Sequence, residues 1–377
     1  MRIAIIYEWL VSMRGGEKVI EQLAELYPEA DIHVLLWRKG SVSAKIESHR
    51  IFTSVLQRVP LFNKHYRHFL PFFPIAVESF DLSQYDLIIS CSHCVAKGVI
   101  PASHARHLCY CYTPMRYIWD MYSDYFGKTS NPLARIVYRY VAHQLRIWDI
   151  TTNDRVDDFV AISNHVARRV KRYYNREAPV IYPPVDTEFY HPVPERLLAE
   201  PYYLMVSALV PYKRVDLAIS ACSKAGRRLV IIGDGPEKRK LTDLAGGNVT
   251  FLGWASNEQI RAWYSHCEAL IFPGEEDFGI VPVEVQACGR PVIAYGKGAT
   301  LETVIDGTTG VFFDGQDDGS IIQAIHRHEQ MQYNTNKIVA NAQRFSRDNF
   351  TRAFISHVER MLSTPLKGRT GIKFSPE

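Results

Sequence analysis

What most limits the folds open to this chain is the alternation of short apolar runs with helical segments along nearly its whole length. In the first half, Arg2 to Tyr7, Ile32 to Trp37, Leu87 to Ser90, His107 to Tyr112 and Phe159 to Ile162 are runs of strand length. Gly16 to Tyr27 (GEKVIEQLAELY) places apolar residues at helical spacing, which leaves residues 8–15 as a loop at a strand's carboxyl end, and Ser163 stands where it caps a helix to about Tyr174. The second half repeats the pattern. Tyr203 to Ser207, Leu229 to Ile232, a run ending Phe251-Leu-Gly-Trp254, Glu268 to Phe272 and Pro291 to Ala294 read as strands, while Arg214 to Ser223 and Phe345 to Leu362 are amphipathic. Strands that alternate with helices predict an α/β fold with parallel, doubly wound sheets. A length of 377 residues is too great for one typical core and suits two domains. The five prolines between Pro183 and Pro201 mark a linker between them.

Composition narrows the function classes. With 47% apolar and 22% charged residues the chain is an ordinary globular protein. Its net charge of +4 lies wholly in residues 1–190, where 23 Lys and Arg meet 19 Asp and Glu, an excess too small for a nucleic-acid partner. No run of about 18 apolar residues is present, and the opening Met1-Arg2-Ile-Ala-Ile-Ile-Tyr-Glu turns acidic too soon for a signal peptide, so a cytoplasmic location is expected. Seven cysteines argue against a disulfide framework, and Cys91-Ser-His-Cys94 with Cys109-Tyr-Cys111 reads better as buried thiols than as a zinc site. Two basic stretches are compatible with an anionic membrane surface or with structural work. Residues 58–73 (RVPLFNKHYRHFLPFF) interleave Arg58, Lys64 and Arg67 with five aromatic rings, and the helix expected at 164–176 carries Arg168, Arg169, Lys171, Arg172 and Arg176.

The densest chemistry lies between Pro273 and Arg290. The apolar run Glu268 to Phe272 is stopped by Pro273-Gly274, and the acidic triplet Glu275, Glu276, Asp277 leads into Phe278-Gly279. Ile280 and Val281 then open a helix whose first turn accepts Pro282 and whose end is marked by Gly289. A helix start at the carboxyl end of a parallel sheet offers unpaired amides and a positive dipole end, and so attracts phosphate. Carboxylates beside such a site accept hydrogen bonds from sugar hydroxyls, as a nucleotide sugar would present them.

Glu276 and Glu284, with seven residues between them within Glu-Asp-Phe-Gly-Ile-x-Pro-x-Glu and followed by Ala-Cys-Gly-x-Pro-Val-Ile-Ala, resemble the paired-glutamate signature of the retaining family 4 glycosyltransferases. The resemblance implies a GT-B fold, two facing Rossmann-like domains with a central cleft. Residues 1–190, with the helix of 346–377 crossing back onto them, would bind the acceptor and residues 191–345 the nucleotide-sugar donor. It implies that Glu276 meets the donor sugar, that Glu284 meets the ribose, and that Asp277, Phe278, Gly279 and the amides of Ile280 and Val281 line the donor site. Gly15-Gly16 would touch the donor, Ser207 and Gly233 would sit at strand ends, and Gly253 with Trp254 would line the base pocket. In Ala208-Leu-Val-Pro-Tyr-Lys213 the family carries an arginine and a lysine on the diphosphate; Lys213 matches, Ala208 does not, and Arg214 is the candidate replacement. The glycine-rich turn Gly296-Lys-Gly-Ala-Thr-Leu-Glu302 would order the site, with a plain helix cap at Thr300 as its simpler reading.

Cys111-Tyr-Thr-Pro-Met-Arg-Tyr resembles the family's His-Thr/Ser-Pro-x-Arg-Tyr segment, which faces the bond being made, but Tyr112 occupies the histidine position. A neutral phenol is a poor base at pH 7. His93 is the alternative polar partner and Arg116 a candidate phosphate ligand. The nearest flavour of the resemblance is the mannosyltransferases of bacterial O-antigen and lipopolysaccharide synthesis. It implies GDP-mannose as donor, a saccharide or polyprenyl-diphosphate-linked saccharide as acceptor, no cofactor or metal, and work at the inner face of the cytoplasmic membrane. Two rivals stay open, a nucleotide-sugar epimerase of the same fold and a donor-binding partner subunit without turnover. Gly233-Asp-Gly-Pro236 is not the Gly-x-Gly-x-x-Gly fingerprint, so an NAD enzyme is disfavoured.

Overall fold

Apolar runs buried on both faces need helices above and below them, and each half of the chain meets this need with a separate sheet. The computed structural model of the protein describes residues 1–60, 62–120, 122 and 132–364; the end expected to fray after Thr364 lies outside the described residues. Unit 1 comprises Met1–Ala161, Arg169–Ile181 and residues 350–364, and unit 2 comprises Ile162–Arg168 and Tyr182–Asn349. The expected border at 190 therefore falls at 181, and residues 162–168, expected in the first domain, belong to the second.

The unit 1 strands are β1 (Ile3–Leu10), β2 (Asp31–Trp37), β3 (Ile51–Thr53), β4 (Leu87–Ser92), β5 (Arg106–Cys111) and β6 (Asp158–Ala161). They form one sheet in the order β3-β2-β1-β4-β5-β6, every neighbouring pair parallel. Unit 2 contains β7 (Tyr203–Val206), β8 (Leu229–Ile232), β9 (Val249–Gly253), β10 (Leu270–Phe272), β11 (Val292–Tyr295) and β12 (Gly310–Phe313), in the order β12-β11-β10-β7-β8-β9. Counted from its own first strand, each unit has the same Rossmann-like order, 3-2-1-4-5-6. In each, the chain reverses its direction of travel between the first and fourth strands, and ligands of open α/β sheets bind outside the carboxyl ends at that point.

The expected loop at 8–15 is shorter than the sequence suggests, because β1 runs on through Glu8, Trp9 and Leu10. A charged residue reads as the end of a buried strand, yet the carboxylate of Glu8 is fully buried. Its Oε1 accepts the amides of His93 (3.0 Å), Cys94 (2.8 Å) and Ala96 (3.2 Å), which offsets the loss of water. The aromatic segment from 58 is largely a cover. Phe62 and Phe73 are buried in the unit 1 core and Tyr66 and Phe69 pack against it, whereas Phe72 stays exposed; Leu61 and the side chain of Lys64 lie outside the described residues. The basic helix Asn164–Tyr174 is likewise structural in part, since Arg169 binds the Thr113 hydroxyl (2.7 Å) and pairs with Asp120. Residues 350–364 complete unit 1, with Phe350 and Phe354 packed edgewise on Tyr110. All seven cysteines are buried and unpaired. No helix among the described residues is long and apolar enough to cross a membrane.

Candidate functional site

In unit 2 the loops after the first and fourth strands meet. Gly274 admits the β7 loop: a Cβ there would lie 3.2 Å from the Tyr212 carbonyl and 3.3 Å from the Lys213 Cα. Lys213 reaches across to form an ion pair with Glu276, and its ammonium sits 6.0 Å above the Phe272 ring. Glu276 is held from behind by the glycine-rich turn. The amide of Ala299 donates to its carbonyl (3.0 Å), and Gly298, at φ +73°, packs so close that a Cβ would overlap that oxygen at 2.6 Å. The turn thus meets Glu276 through its backbone, while the Thr300 hydroxyl lies 2.7 Å from the carbonyl oxygens of both Tyr295 and Lys297.

Immediately beyond, Gly279 at φ +79° starts the helix Ile280–Ala287 with no side-chain cap. The first amides, those of Ile280 and Val281, are the orphan donors of such a terminus, and the helix dipole adds partial positive charge there. Asp277 lies beside them, its carbonyl accepting from the Ser163 hydroxyl (2.6 Å) and its carboxylate 3.8 Å from His165 Nε2. His165 escaped the sequence reading; nothing local marks it, because its carboxylate neighbours lie more than a hundred residues on.

The β8 and β9 loops close the other side. Gly233, at φ +134°, donates to the Gly253 carbonyl (2.7 Å) and presses on Ser207, where a Cβ would fall 1.9 Å from the carbonyl oxygen. Ser207, Gly233 and Gly253 therefore come together at the carboxyl ends of β7, β8 and β9, and Trp254 next to them is 82% exposed. This combination presents a cation, a carboxylate, an open helix start and a free indole, which can engage a diphosphate, a sugar and a base. A separate recess of about 290 Å³, lined by Glu268, Pro291 and His328 among others, lies at the opposite, amino ends of the strands and contains none of these groups.

Three expected participants are placed differently. Arg214 adopts the left-handed region at φ +52° and turns its guanidinium onto Asp216 at 3.3 Å, so it does not stand beside Lys213 as a second cation. Glu284 is buried inside the unit, where it accepts the Tyr264 hydroxyl at 3.0 Å, instead of opening onto a ribose. Phe278 is buried against Tyr182 and Phe345, so only its backbone borders the site.

In unit 1 the carboxyl ends of β1, β4 and β5 and the start of the helix Gly15–Leu26 bring together Glu8, His93, Tyr112 and Gly16. Ile6 pairs with Ser90, so Glu8 reaches the level of Ser92, and Ser92 pairs with Cys111, which makes His93 and Tyr112 the next residues on adjacent strands. His93 Nδ1 forms an ion pair with Glu8 Oε2 at 2.9 Å. Burial alone would push the Glu8 carboxyl up, but the His93 charge and the donated amides outweigh it and hold it below the usual range. Burial would likewise lower His93, yet Glu8 more than compensates and the imidazole is raised. Tyr112 departs from its expected catalytic place. Its hydroxyl donates to the Gly16 carbonyl (2.9 Å), and burial drives its pKa well upward, so it is a fixed donor and no base. Gly16 makes its close approach to the chain itself: a Cβ would lie 2.4 Å from the Tyr7 hydroxyl. Gly15 opens the helix Gly15–Leu26, and Arg116 is partly buried near His93, whose proton its charge disfavours. Among the described residues no cluster of His, Cys, Asp and Glu is arranged to hold a metal.

Two Rossmann-like units, each with its polar cluster at the reversal point, define the GT-B class of glycosyltransferase fold. Solved structures agree. The sucrose-phosphate synthase of Thermosynechococcus elongatus aligns with a TM-score of 0.74 at 16% identity over 96% of this chain and 99% of its own. The Anabaena protein HepE, crystallised with UDP, aligns at 0.68 and 17% over 96% of this chain and 100% of its own. The family description "Glycosyltransferase Family 4" matches residues 13–189 and "Glycosyl transferases group 1" matches residues 186–345. The chain belongs to the family 4 glycosyltransferases. It is 32% identical over 228 residues to the GDP-mannose-dependent alpha-(1-6)-phosphatidylinositol monomannoside mannosyltransferase of Mycolicibacterium smegmatis, covering 53% of this chain and 57% of that protein. The chain spans about half the length of the curated relatives it matches.

Proposed function

We propose that the protein is a retaining glycosyltransferase that moves a sugar from a nucleoside diphosphate donor, GDP-mannose in the first instance, to a saccharide or lipid-linked saccharide of a bacterial surface polysaccharide such as an O-antigen. The observation that carries this is the Lys213–Glu276 ion pair set beside the uncapped start of the helix Ile280–Ala287. The name of the mycobacterial relative favours mannose and GDP, while UDP in the HepE structure keeps a uridine donor as the competitor.

The residues divide the work as follows. The acceptor oxygen bonds to the anomeric carbon on the face from which the diphosphate leaves; the bond from that carbon to the phosphate oxygen breaks, and the acceptor proton passes to the departing phosphate. Lys213 and the amides of Ile280 and Val281 neutralise the charge that grows there. Glu276, already bonded to Lys213, orients the sugar by accepting from its hydroxyls and keeps the ammonium in place before donor arrives.

Thermal-shift measurements with GDP-mannose, UDP-glucose and dTDP-glucose test the donor. Saturation at a hundred times the dissociation constant stabilises by about 2.7 kcal/mol, and no shift with any of them sinks the proposal. Ala208 together with the Arg214–Asp216 pair favours one competing reading, a donor-binding subunit that does not turn over, which would bind nucleotide yet transfer nothing. An epimerase would instead convert donor with no acceptor present.

Action at a membrane surface is part of the proposal. The helix Pro132–Thr151 exposes Leu133, Ile136, Val137, Tyr140 and Ile147 beside Arg135 and Arg139, and Phe72 and Ile75 are also exposed. Cosedimentation with vesicles containing anionic lipid, lost in an Ile136→Asp, Tyr140→Asp variant, would support it; equal binding by that variant would refute it.

A further inference from the structure

We propose that the recess at the amino ends of the unit 2 strands binds one uncharged sugar ring, apart from the donor site, with Arg290, Glu268 and His328 supplying the hydrogen bonds. That such a sugar belongs to the saccharide being extended rests on the glycosyl-transfer reading above; that a sugar ring binds here does not.

The recess measures about 290 Å³, at the small end of the roughly 300–1,000 Å³ typical of ligand sites, so it suits one ring better than a nucleotide sugar. Its polar groups are built in. Leu270 pairs with Val292, which brings Glu268 and Arg290, each two residues earlier, level with one another at the starts of β10 and β11. Arg290 Nε donates to the Ser265 carbonyl (2.8 Å) and the Arg290 amide to the Val285 carbonyl (3.1 Å), so the guanidinium is anchored at its root. Among the described residues no protein group takes its two terminal nitrogens, and the Glu268 carboxylate has neither a hydrogen bond nor an ion pair. A neighbouring acid and base that served only the fold would satisfy each other; these two keep their capacity for the recess they line.

His328 adds a third group. It is 6% exposed, its Nδ1 lies 3.3 Å from the Tyr333 hydroxyl, and among the described residues nothing takes Nε2. Burial outweighs the nearby Glu329 charge and lowers its pKa, so the ring is neutral at pH 7 and has one nitrogen that donates and one that accepts. A sugar hydroxyl does both, and therefore suits Nε2 in either tautomer. Glu329 stands beside it, gripped by Arg227 (2.6 and 3.0 Å) and the Tyr203 hydroxyl (3.0 Å) yet with its side chain still 31% exposed.

The balance of charge selects the class of ligand. Arg227 answers Glu329, and Arg290 matches Glu268, so a phosphate is repelled about as much as it is held, and so is a cation. Hydroxyls gain from both signs: they donate to the carboxylates and accept from the guanidinium. The rings of His328 and Tyr333, 5.3 Å apart and 30° from parallel, join Pro291 and Met331 to give the C–H face of a sugar an apolar wall. Lys213 and Glu276 stand at the other, carboxyl ends of these strands, so the sugar bound here is not the one that reacts. It tethers a chain already built, which raises the local concentration of that chain's ends.

The test uses the full chain with carbon-13 methyl-labelled methionine, because Met331 lines the recess; Met331→Leu assigns its signal. Of the methyl α-glycosides of mannose, glucose and galactose, at least one should move that signal saturably, with a dissociation constant of about 1–10 mM. Glu268→Ala and His328→Phe should each weaken that binding about three- to tenfold and leave nucleotide affinity unchanged. A disaccharide of the preferred sugar that binds tighter than the monosaccharide points to a residue of a chain, and equal binding points to a free hexose; either result supports the site. A Met331 signal that ignores all three glycosides, that drifts equally and without saturation for each, or that answers inorganic phosphate in their place overturns the assignment. None of those results touches glycosyl transfer, which fails only if no nucleotide binds. Should His328→Phe fail to fold, Glu268→Ala at the exposed rim decides, and unchanged glycoside binding by that variant overturns the assignment.

Discussion

The two units share one strand order and spend it differently. Both bring an acid and a base together where the first and fourth strands lie side by side: Glu8 within the first strand with His93 just after the fourth in unit 1, and Lys213 with Glu276 from the loops after those strands in unit 2. The polarity is reversed, since the acid belongs to the first strand in unit 1 and to the fourth-strand loop in unit 2. Their settings differ as well. Glu8 is wrapped in its own chain's amides and serves a neighbour, whereas Glu276 is partly exposed beside amides that its own chain leaves uncapped. Topology therefore fixes where a polar pair can gather, and the local hydrogen-bond supply decides whether it faces inward or toward a ligand.

The sharpest way to break this comparison is to remove the outward-facing acid. Glu276→Ala should reduce transfer about 1,000-fold or more, some 4 kcal/mol, while nucleotide affinity by calorimetry stays within about threefold. Next is Gly233→Ala, which forces a Cβ into the Ser207 carbonyl at a φ that L residues rarely adopt. A loss of about 3 kcal/mol in unit 2 stability, read from its denaturant transition, is expected.

A pH experiment probes unit 1. Burial lowers His107 from 6.5 to about 4 even though the Arg155 carbonyl beside its Nδ1 opposes this, and the neutral ring is satisfied by Ser90 at Nε2 and Arg155 at Nδ1, both at 2.8 Å. Burial also takes His33 to about 4. The folded state then refuses protons that the unfolded chain accepts, so stability is complete above pH 6.5 and falls as pH drops toward 4, by on the order of 2 to 3 kcal/mol for each group. His107→Gln should flatten that acid limb in unit 1. The smallest effect is expected from Arg214→Ala. Its partner Asp216 is a partly exposed surface acid, so stability should change by under about 1 kcal/mol and donor affinity by less than threefold; a hundredfold loss of affinity would return Arg214 to the diphosphate.

Much of the architecture was legible because buried parallel strands write themselves as apolar runs, as in Leu229–Ile232, where expected and observed bounds agree. The three-residue β3 is too short to show a period, and β1 was cut short at Glu8 because the sequence does not show that amides 85 residues away will solvate a carboxylate. In the site, Glu276, Lys213 and the glycines stand out because the short motifs that hold them resemble those of family 4. Arg214 misled because a non-glycine residue in the left-handed region is invisible in a string of letters, and Glu284 because its partner, Tyr264, comes from another helix.

Glu302 shows how the chain rations its own positive ends. Its carboxylate accepts the Asn164 amide (2.8 Å) and side chain (2.8 Å), the His165 amide (2.9 Å) and the Tyr182 hydroxyl (3.1 Å). It thus acts as a built-in counter-ion that plugs the start of the helix Asn164–Tyr174. That helix end is closed from within, whereas the one at Gly279 carries no side-chain cap, so an internal anion sets the two ends apart.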